Sequence, residues 1–154
     1  MTDAESNIRR AAIGDAAEIA GLSRQLGYPV SEEILTERLR RALAQKDQLV
    51  LVAQVGDKIC AWLQAHSTEI IESGFRVEIV GLIVDEAMRR HGLGLRLVQE
   101  AEKWAVSLGA QMVVVRTNIV RAESHLFYSA LGYRQTKTQH VYRKVLDKSR
   151  EAHT

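Results

Sequence analysis

The run Arg89-Arg90-His91-Gly92-Leu93-Gly94 holds the clearest chemistry in this chain. Before it, Ile79-Val80-Gly81-Leu82-Ile83-Val84 is apolar enough to form a strand buried on both faces. After it, Leu97, Val98, Ala101, Trp104, Ala105 and Leu108 recur at helical spacing across Leu95 to Leu108. A strand, a glycine-bearing turn and a helix, in that order, make a seat for phosphate. Glycine lets the backbone turn tightly and approach a ligand, and the first N–H groups of a helix have no partners within it. Those donors and the positive end of the helix dipole then point at whatever anion sits there. Arg89, Arg90 and Arg96 add guanidinium groups, and phosphate is the expected partner of one or two of the three. Two other phosphate loops are excluded. A dinucleotide fold needs a third glycine where Leu97 stands, and a Walker loop needs a Gly-Lys-Ser/Thr that is absent.

The remaining reactive side chains point to no metal or thiol chemistry. His66 and His125 lie far apart with no second ligand pair at metal spacing, so no zinc site is expected. No histidine is spaced to activate Cys60, which alternates onto one strand face with Trp62, Gln64 and His66, and a catalytic thiol is not expected.

Arg89-x-x-Gly92-x-Gly94 is similar to the Gln/Arg-x-x-Gly-x-Gly/Ala signature of acyl-coenzyme-A-binding N-acetyltransferases, and the chain resembles that GNAT superfamily at two further places. Glu78, eleven positions before Arg89, is similar in offset to the general base of the histone-acetyltransferase branch. The stretch from Arg121 through His125, Phe127 and Tyr128 to Gly132-Tyr133 resembles the family's late helix, Asn-x-x-Ala-x-x-Leu/Phe-Tyr followed by Gly-Phe/Tyr. The resemblance implies an α/β fold, one domain over residues 1–146 with a polar tail over 147–154, built on a mixed, mostly antiparallel sheet flanked by helices. Splayed strands would hold acetyl-coenzyme A as co-substrate. On the same grounds the backbones of Leu82, Ile83 and Val84 would line its pantetheine arm, and Arg89, Arg90, His91, Gly92, Leu93 and Gly94 its pyrophosphate. The family's cofactor-binding asparagine falls seven residues before the tyrosine, where this chain has Arg121; Asn118 lies ten before. Either of those two is expected to meet the cofactor.

Amine acetylation poses two proton problems. The attacking amine is mostly ammonium at neutral pH, with a pKa near 10 like lysine. The departing thiolate gains by receiving a proton, its parent thiol having a pKa of roughly 8.5 by analogy with cysteine. Glu78 is the expected base. On a period-two strand it shares a face with Val80, Leu82 and Val84, and an apolar setting would raise its pKa. The competing reading is a glutamate paired with an arginine at the strand's outer end. Tyr128 is the family's thiolate partner; its competing reading is core, since Phe127, Tyr128 and Leu131 fall at helical spacing.

The elements that must position these groups read plainly. Asn7 to Ala11 is a strand, and Asp15 with Glu18 forms a capping-box pattern opening a helix marked by Ile19, Leu22 and Leu26. Gly27-Tyr28-Pro29 ends it, and Ser31 opens a second helix to about Ala44. Leu49 to Val55 and Lys58 to His66 flank the turn Gly56-Asp57 as a hairpin. Val77 to Val84 and Met112 to Thr117 are further strands, Ala122 to Leu131 a helix stopped by Gly132, and Thr138 to Leu146 a closing strand. The loop Gly27 to Ser31 and the segment Thr68 to Phe75, with Glu69, Glu72 and Ser73, would shape the acceptor site by family resemblance.

Composition fits a single soluble globular domain. Of 154 residues, 46% are apolar and 26% charged. With 21 basic against 19 acidic residues the net charge is +2, too balanced for nonspecific nucleic-acid binding. One cysteine, no cationic-then-apolar leader and no apolar run of membrane length suit a cytoplasmic protein with no membrane partner. The expected activity is acetyl transfer from acetyl-coenzyme A to a primary amine of a small molecule, by direct attack in a ternary complex. The alternatives are a protein or peptide amine as acceptor, or a non-catalytic acyl-coenzyme-A sensor. A homodimer is admitted by the resemblance and fixed by no residue.

Overall fold

The computed structural model describes residues 6–117 and 122–146. Two contact units divide the chain, residues 1–116 and 117–154.

In the first unit five strands form one sheet: β1 (Ser6–Arg10), β2 (Gln48–Val55), β3 (Lys58–Ile70), β4 (Gly74–Val84) and β5 (Met112–Val115), in that order across it. The first four pair antiparallel, and β5 lies parallel to β4. Gly56, at φ 63°, supplies the left-handed backbone that the tight β2–β3 hairpin needs. Helices α1 (Ala16–Gln25) and α2 (Glu32–Leu43) follow β1, and α3 (Leu93–Leu108) links β4 to β5. Ile19, Leu22 and Leu39 of the first two helices pack with Val50, Val52, Ile59, Ile83 and Trp62 on one sheet face. Helix α3, which packs against β2, β3 and β4, buries Leu97, Val98, Ala101 and Ala105. It stops at Gly109, φ 80°, where Ala110 N–H donates to the Ala105 carbonyl at 2.9 Å.

Local details depart from the sequence expectations. Ser31 caps α2 as expected, accepting from Ile34 N–H at 3.1 Å. The Asp15–Glu18 capping box does not form. Asp15 closes a 3-10 turn over Ile13–Asp15, where its carboxylate takes Arg9 at 2.8 and 2.9 Å and Ala12 N–H at 2.8 Å. Glu18 reaches across to Ile59 N–H at 2.7 Å. Both acids have stronger distant partners than the helix end offers, and Asp15 ties β1 to the start of α1 instead. The segment Thr68 to Phe75 is a hairpin extension of β3 and β4, with Thr68 opposite Arg76 and Glu69 opposite Phe75, and only its tip carries an exposed turn.

In the second unit α4 (Ala122–Ala130) ends as expected at Gly132, φ 92°, where Tyr133 N–H donates to the Tyr128 carbonyl at 3.0 Å. The closing strand expected over Thr138 to Leu146 is absent. Residues 133–146 carry no strand, and Val141, Tyr142, Val145 and Leu146 are exposed. Weak alternation supplies two faces but no partner edge, and a strand is stable only when paired.

Candidate active site: a forked sheet edge and a helix start

The parallel pairing of β4 with β5 covers only Arg76 to Ile79 against Met112 to Val115. From Val80 to Val84 no described strand covers that edge of β4. The pairing stops there, at the fork of the sheet, because β5 ends at Val115 while β4 runs on to Val84. A bulge sits at the fork, because Ala65 pairs with Ile79 but Gln64 pairs with Gly81, leaving Val80 as the extra residue, 54% exposed. This extra residue corrects the expected strand face. Glu78 is continuous with Gly81 and Ile83, on the side of α1 and α2, and not with Val80, Leu82 and Val84. A second bulge between Ala53 and Gln54 takes Cys60 out of the alternation in the same way, so it does not share the face of Trp62, Gln64 and His66.

The same register sorts the backbones expected along the cofactor. Asp85 N–H donates to the Cys60 carbonyl at 2.8 Å. Successive residues of a strand direct their polar groups to opposite edges. Ile83 therefore turns its N–H and C=O to β3, while Leu82 and Val84 turn theirs to the uncovered edge. Of the three expected there, Leu82 and Val84 are placed to pair with an extended ligand, and Ile83 instead buries its side chain in the core.

Beyond Val84 the chain makes a second 3-10 turn, Glu86–Met88, capped by the Asp85 carboxylate on Ala87 N–H at 3.1 Å. Gln25 of α1 braces it, accepting from Glu86 N–H at 3.2 Å. Arg90 takes a left-handed φ of 70° and Gly92 one of 77°. This doubly left-handed turn delivers the chain into α3, whose first internal bond runs from Arg96 N–H to the Gly92 carbonyl at 3.0 Å. The N–H groups of Leu93, Gly94 and Leu95 have no acceptor within the helix. Arg89, Arg90, His91 and Gly92 are exposed around this start, and Leu93 and Gly94 are buried beneath it. Arg96 is spoken for, since its guanidinium donates to the Ser6 hydroxyl. Among the three arginines, Arg89 and Arg90 remain for phosphate. A cofactor bearing a pyrophosphate and an extended amide arm fits this donor set.

Gly92→Ala isolates the backbone term, because a Cβ there would meet nothing within 4 Å. The strained φ alone costs roughly 1–2 kcal/mol. The variant is expected to fold and to bind acetyl-coenzyme A several-fold more weakly, which calorimetric titration reads.

Glu78 lies at the crotch of the fork, 7% exposed, and carries more charge around it than the sequence reading allowed. Arg76 Nη2 is 2.6 Å from its Oε1, Arg116 Nη1 is 2.6 Å from its Oε2, and His66 Nε2 is 3.4 Å from Oε2. Burial pushes its carboxyl up, but the hydrogen bonds and charges of Arg116 and then Arg76 outweigh burial and hold it below its ordinary value. The expected rise is corrected to a fall, for the reason that the surroundings are cationic and not apolar. The structure thus shows the competing reading of Glu78, a glutamate paired with arginine, and Arg76, two residues before it on the same strand face, is one of the two partners. The fold thus favours the ionised carboxylate. Its stabilisation is whole above about pH 4.5, the ordinary value, and is lost as pH falls through the depressed folded value. Urea midpoints followed from about pH 6 to pH 3 should fall less steeply in Glu78→Gln than in the parent, with Asp15 and Asp85, also held low, supplying the remaining slope.

Trp62, opposite Ile83, covers Gly81 so closely that a Cβ there would stand 2.8 Å from two of its ring carbons. Gly81 interrupts an apolar run, a sequence mark of a bulge or close approach that the sequence reading left unused.

In the second unit Tyr128 is buried, with Phe127 and Tyr133 edge-on to its ring at centroid distances of 5.0 and 5.8 Å. Burial pushes its hydroxyl up to about 12. The group is therefore protonated throughout the physiological range. Asn118 and Arg121 lie outside the described residues. Among the described residues no cluster of histidine, cysteine and acids is placed to hold a metal ion, and no helix is long and apolar enough to cross a membrane.

Comparison with known proteins bears on this arrangement. The sequence profile of the acetyltransferase (GNAT) family matches residues 17–133. An aminoglycoside N(6')-acetyltransferase type 1 from Acinetobacter haemolyticus is 27% identical over 124 residues, covering 76% of this chain and 83% of that protein. Shorter matches span less than half the length of the relatives they meet. One of these is an aminoalkylphosphonate N-acetyltransferase from Salmonella typhimurium, 39% identical over 59 residues, 38% of each chain. The solved structure of aminoglycoside N-acetyltransferase AAC(6')-Iy in complex with CoA superposes with a TM-score of 0.82 at 19% identity, over 90% of this chain and 94% of that one.

Proposed function

This chain belongs to the GNAT acetyltransferase family and is an acetyl-coenzyme-A-dependent N-acetyltransferase; we propose that its acceptor is the primary amine of a small molecule, which attacks the thioester directly in a ternary complex. The observation that carries this reading is the uncovered edge of β4 leading straight into the left-handed start of α3. An extended amide arm pairs with the backbones of Leu82 and Val84, and its pyrophosphate meets the free N–H groups from Leu93 onward, with Arg89 and Arg90 beside them. The acetyl end then lies near the fork, where Glu78 stands. Small-molecule amines are favoured because the relatives named above acetylate aminoglycosides and an aminoalkylphosphonate.

Glu78 receives the proton of the attacking amine, directly or through a water. Held by two arginines it is a weak base, so the proton it accepts is passed on to solvent. The Tyr128 hydroxyl donates toward the departing sulfur. With its pKa near 12 it is always in the donor form, and it works by hydrogen bonding to the developing thiolate more than by complete transfer. By the same reading the enzyme is cytoplasmic and contacts neither nucleic acid nor membrane, and its family resemblance admits a homodimer, which sedimentation decides.

Initial rates with both substrates varied test the ternary complex. Intersecting double-reciprocal lines, with no acetylated protein after incubation with acetyl-coenzyme A alone, support direct attack. Parallel lines and an acetylated enzyme would replace it with a covalent route.

A further inference from the structure

Two guanidinium groups face one carboxylate at the fork. Glu78 gives one oxygen to Arg76 and the other to Arg116, each at 2.6 Å, and among the described contacts no second acid neutralises the pair. A structural ion pair needs only one of the two arginines. Each arginine meets Glu78 through a single nitrogen, although a guanidinium offers five N–H donors in a planar fork suited to a second anion. Arg116 is half exposed, its side chain at 53%, so its remaining donors face solvent. Arg76 is 14% exposed; its Nη1 donates to the Ser73 hydroxyl at 3.5 Å, and its Nε is buried with no hydrogen-bond partner among the described residues. A buried donor without a partner is costly and uncommon in a native fold.

The position of the surplus charge matters as much as its sign. Arg76 and Glu78 lie in the last paired stretch of β4, and Arg116 follows directly on the last residue of β5. The three groups and His66 therefore border the opening where the uncovered edge begins. A positively charged opening repels a plain ammonium and more strongly a polyamine. It suits an amine that brings its own negative charge.

We propose that Arg116 and Arg76 form an anion subsite for the acceptor, so that the amine acetylated also carries a carboxylate, phosphonate or phosphate group. The inference rests on the acetyl-transfer reading above and names the acceptor class within it. It also links recognition to chemistry. An anion that draws Arg116 toward itself loosens that arginine's hold on Glu78, which becomes a better proton acceptor only when a fitting acceptor is bound.

The test compares amines matched in size. 2-Aminoethylphosphonate and β-alanine carry the anion in its two chemical forms, ethanolamine carries none, and spermidine is a polycation. The parent enzyme should turn over at least one of the anionic amines with kcat/KM about tenfold or more above ethanolamine. Arg116→Gln should raise KM for that amine roughly tenfold to a hundredfold and leave KM for ethanolamine nearly unchanged, any change in kcat that arises through Glu78 being shared by both amines. Binding gives a readout apart from activity: the same anionic amine is titrated calorimetrically into enzyme saturated with coenzyme A, with and without Arg116→Gln. Binding lost in the variant, without turnover in either protein, would keep the subsite and sink the transferase reading. Turnover that favours ethanolamine or spermidine, or that Arg116→Gln leaves untouched, would overturn the subsite and keep the transferase. Neither binding nor turnover of either anionic amine would also overturn it.

Discussion

Tyr128→Phe should leave a folded protein that still binds acetyl-coenzyme A and turns it over about a hundredfold to a thousandfold more slowly. The argument begins in helix α4, whose spacing puts Phe127 and Tyr128 side by side and whose end at Gly132 brings Tyr133 back onto the Tyr128 ring. Phenylalanine keeps the ring and both edge-on contacts, so the loss of stability is small. It removes one hydroxyl that burial keeps protonated, with a pKa pushed up to about 12. A single preorganised donor to developing negative charge contributes on the order of 10²–10³ in kcat. If Tyr128 holds the proposed role, the substitution removes an interaction with the leaving group, and kcat and kcat/KM should fall together while the dissociation constant for acetyl-coenzyme A holds. Steady-state kinetics and calorimetry on one preparation separate those terms. A fall in affinity with kcat intact would return Tyr128 to the core role that its burial also allows. An independent sign follows from the raised pKa. The hydroxyl is neutral in the fold up to about 12 but ionises in the unfolded chain near 10, so stability is whole below pH 10 and is lost as pH rises toward 12. Tyr128→Phe should lose less of it over that window.

Gly81→Ala should be the more damaging change to the fold itself. Its Cβ would stand 2.8 Å from Cη2 and Cζ3 of Trp62, and that ring packs against the cluster formed by Val50, Val52, Ile59 and Ile83. The half-buried indole is held against that cluster, and its ring is rigid, with no flexible end to swing aside. Either the ring leaves its place or β4 lifts from β3 beside the Val80 bulge, and overpacking of this kind costs typically 1–3 kcal/mol. For a chain of this size that corresponds to a drop in Tm of roughly 3–10 °C. The strand that must yield is the one whose edge is assigned to the cofactor, so KM for acetyl-coenzyme A should rise as well. Gly14→Ala serves as control, because a Cβ there meets nothing within 4 Å and its φ is ordinary. Equal stability of the two variants would remove Gly81 from the account.

Much of this arrangement could be read from the chain before its fold was known. Order and type of most elements follow from periods of two and 3.6, and the left-handed turn into α3 follows from Gly92 lying between an apolar run and an amphipathic one. What escaped were features decided by distant partners. One residue of bulge at Val80 reverses which side chains share a face with Glu78, and no local pattern encodes it except Gly81 beside it. The pairing of Glu78 with Arg116 joins residues 38 positions apart, so the pKa argument built on apolar neighbours ran in the wrong direction. The same holds for Asp15 and Glu18, whose capping spacing was outbid by Arg9 and by Ile59 N–H. Weak alternation over Thr138 to Leu146 produced a strand on paper because alternation reports faces and says nothing of a partner edge.

The most direct test of the account is thiol release from acetyl-coenzyme A in the presence of a panel of small amines, with the parent protein beside Tyr128→Phe and Glu78→Gln. Release with at least one amine, about a hundredfold or more reduced in Tyr128→Phe and clearly reduced in Glu78→Gln, is the predicted result. Release that neither substitution alters would contradict the residue roles assigned at the fork and in α4. No release with any amine, from protein shown to bind acetyl-coenzyme A, would contradict acetyl transfer to small amines itself.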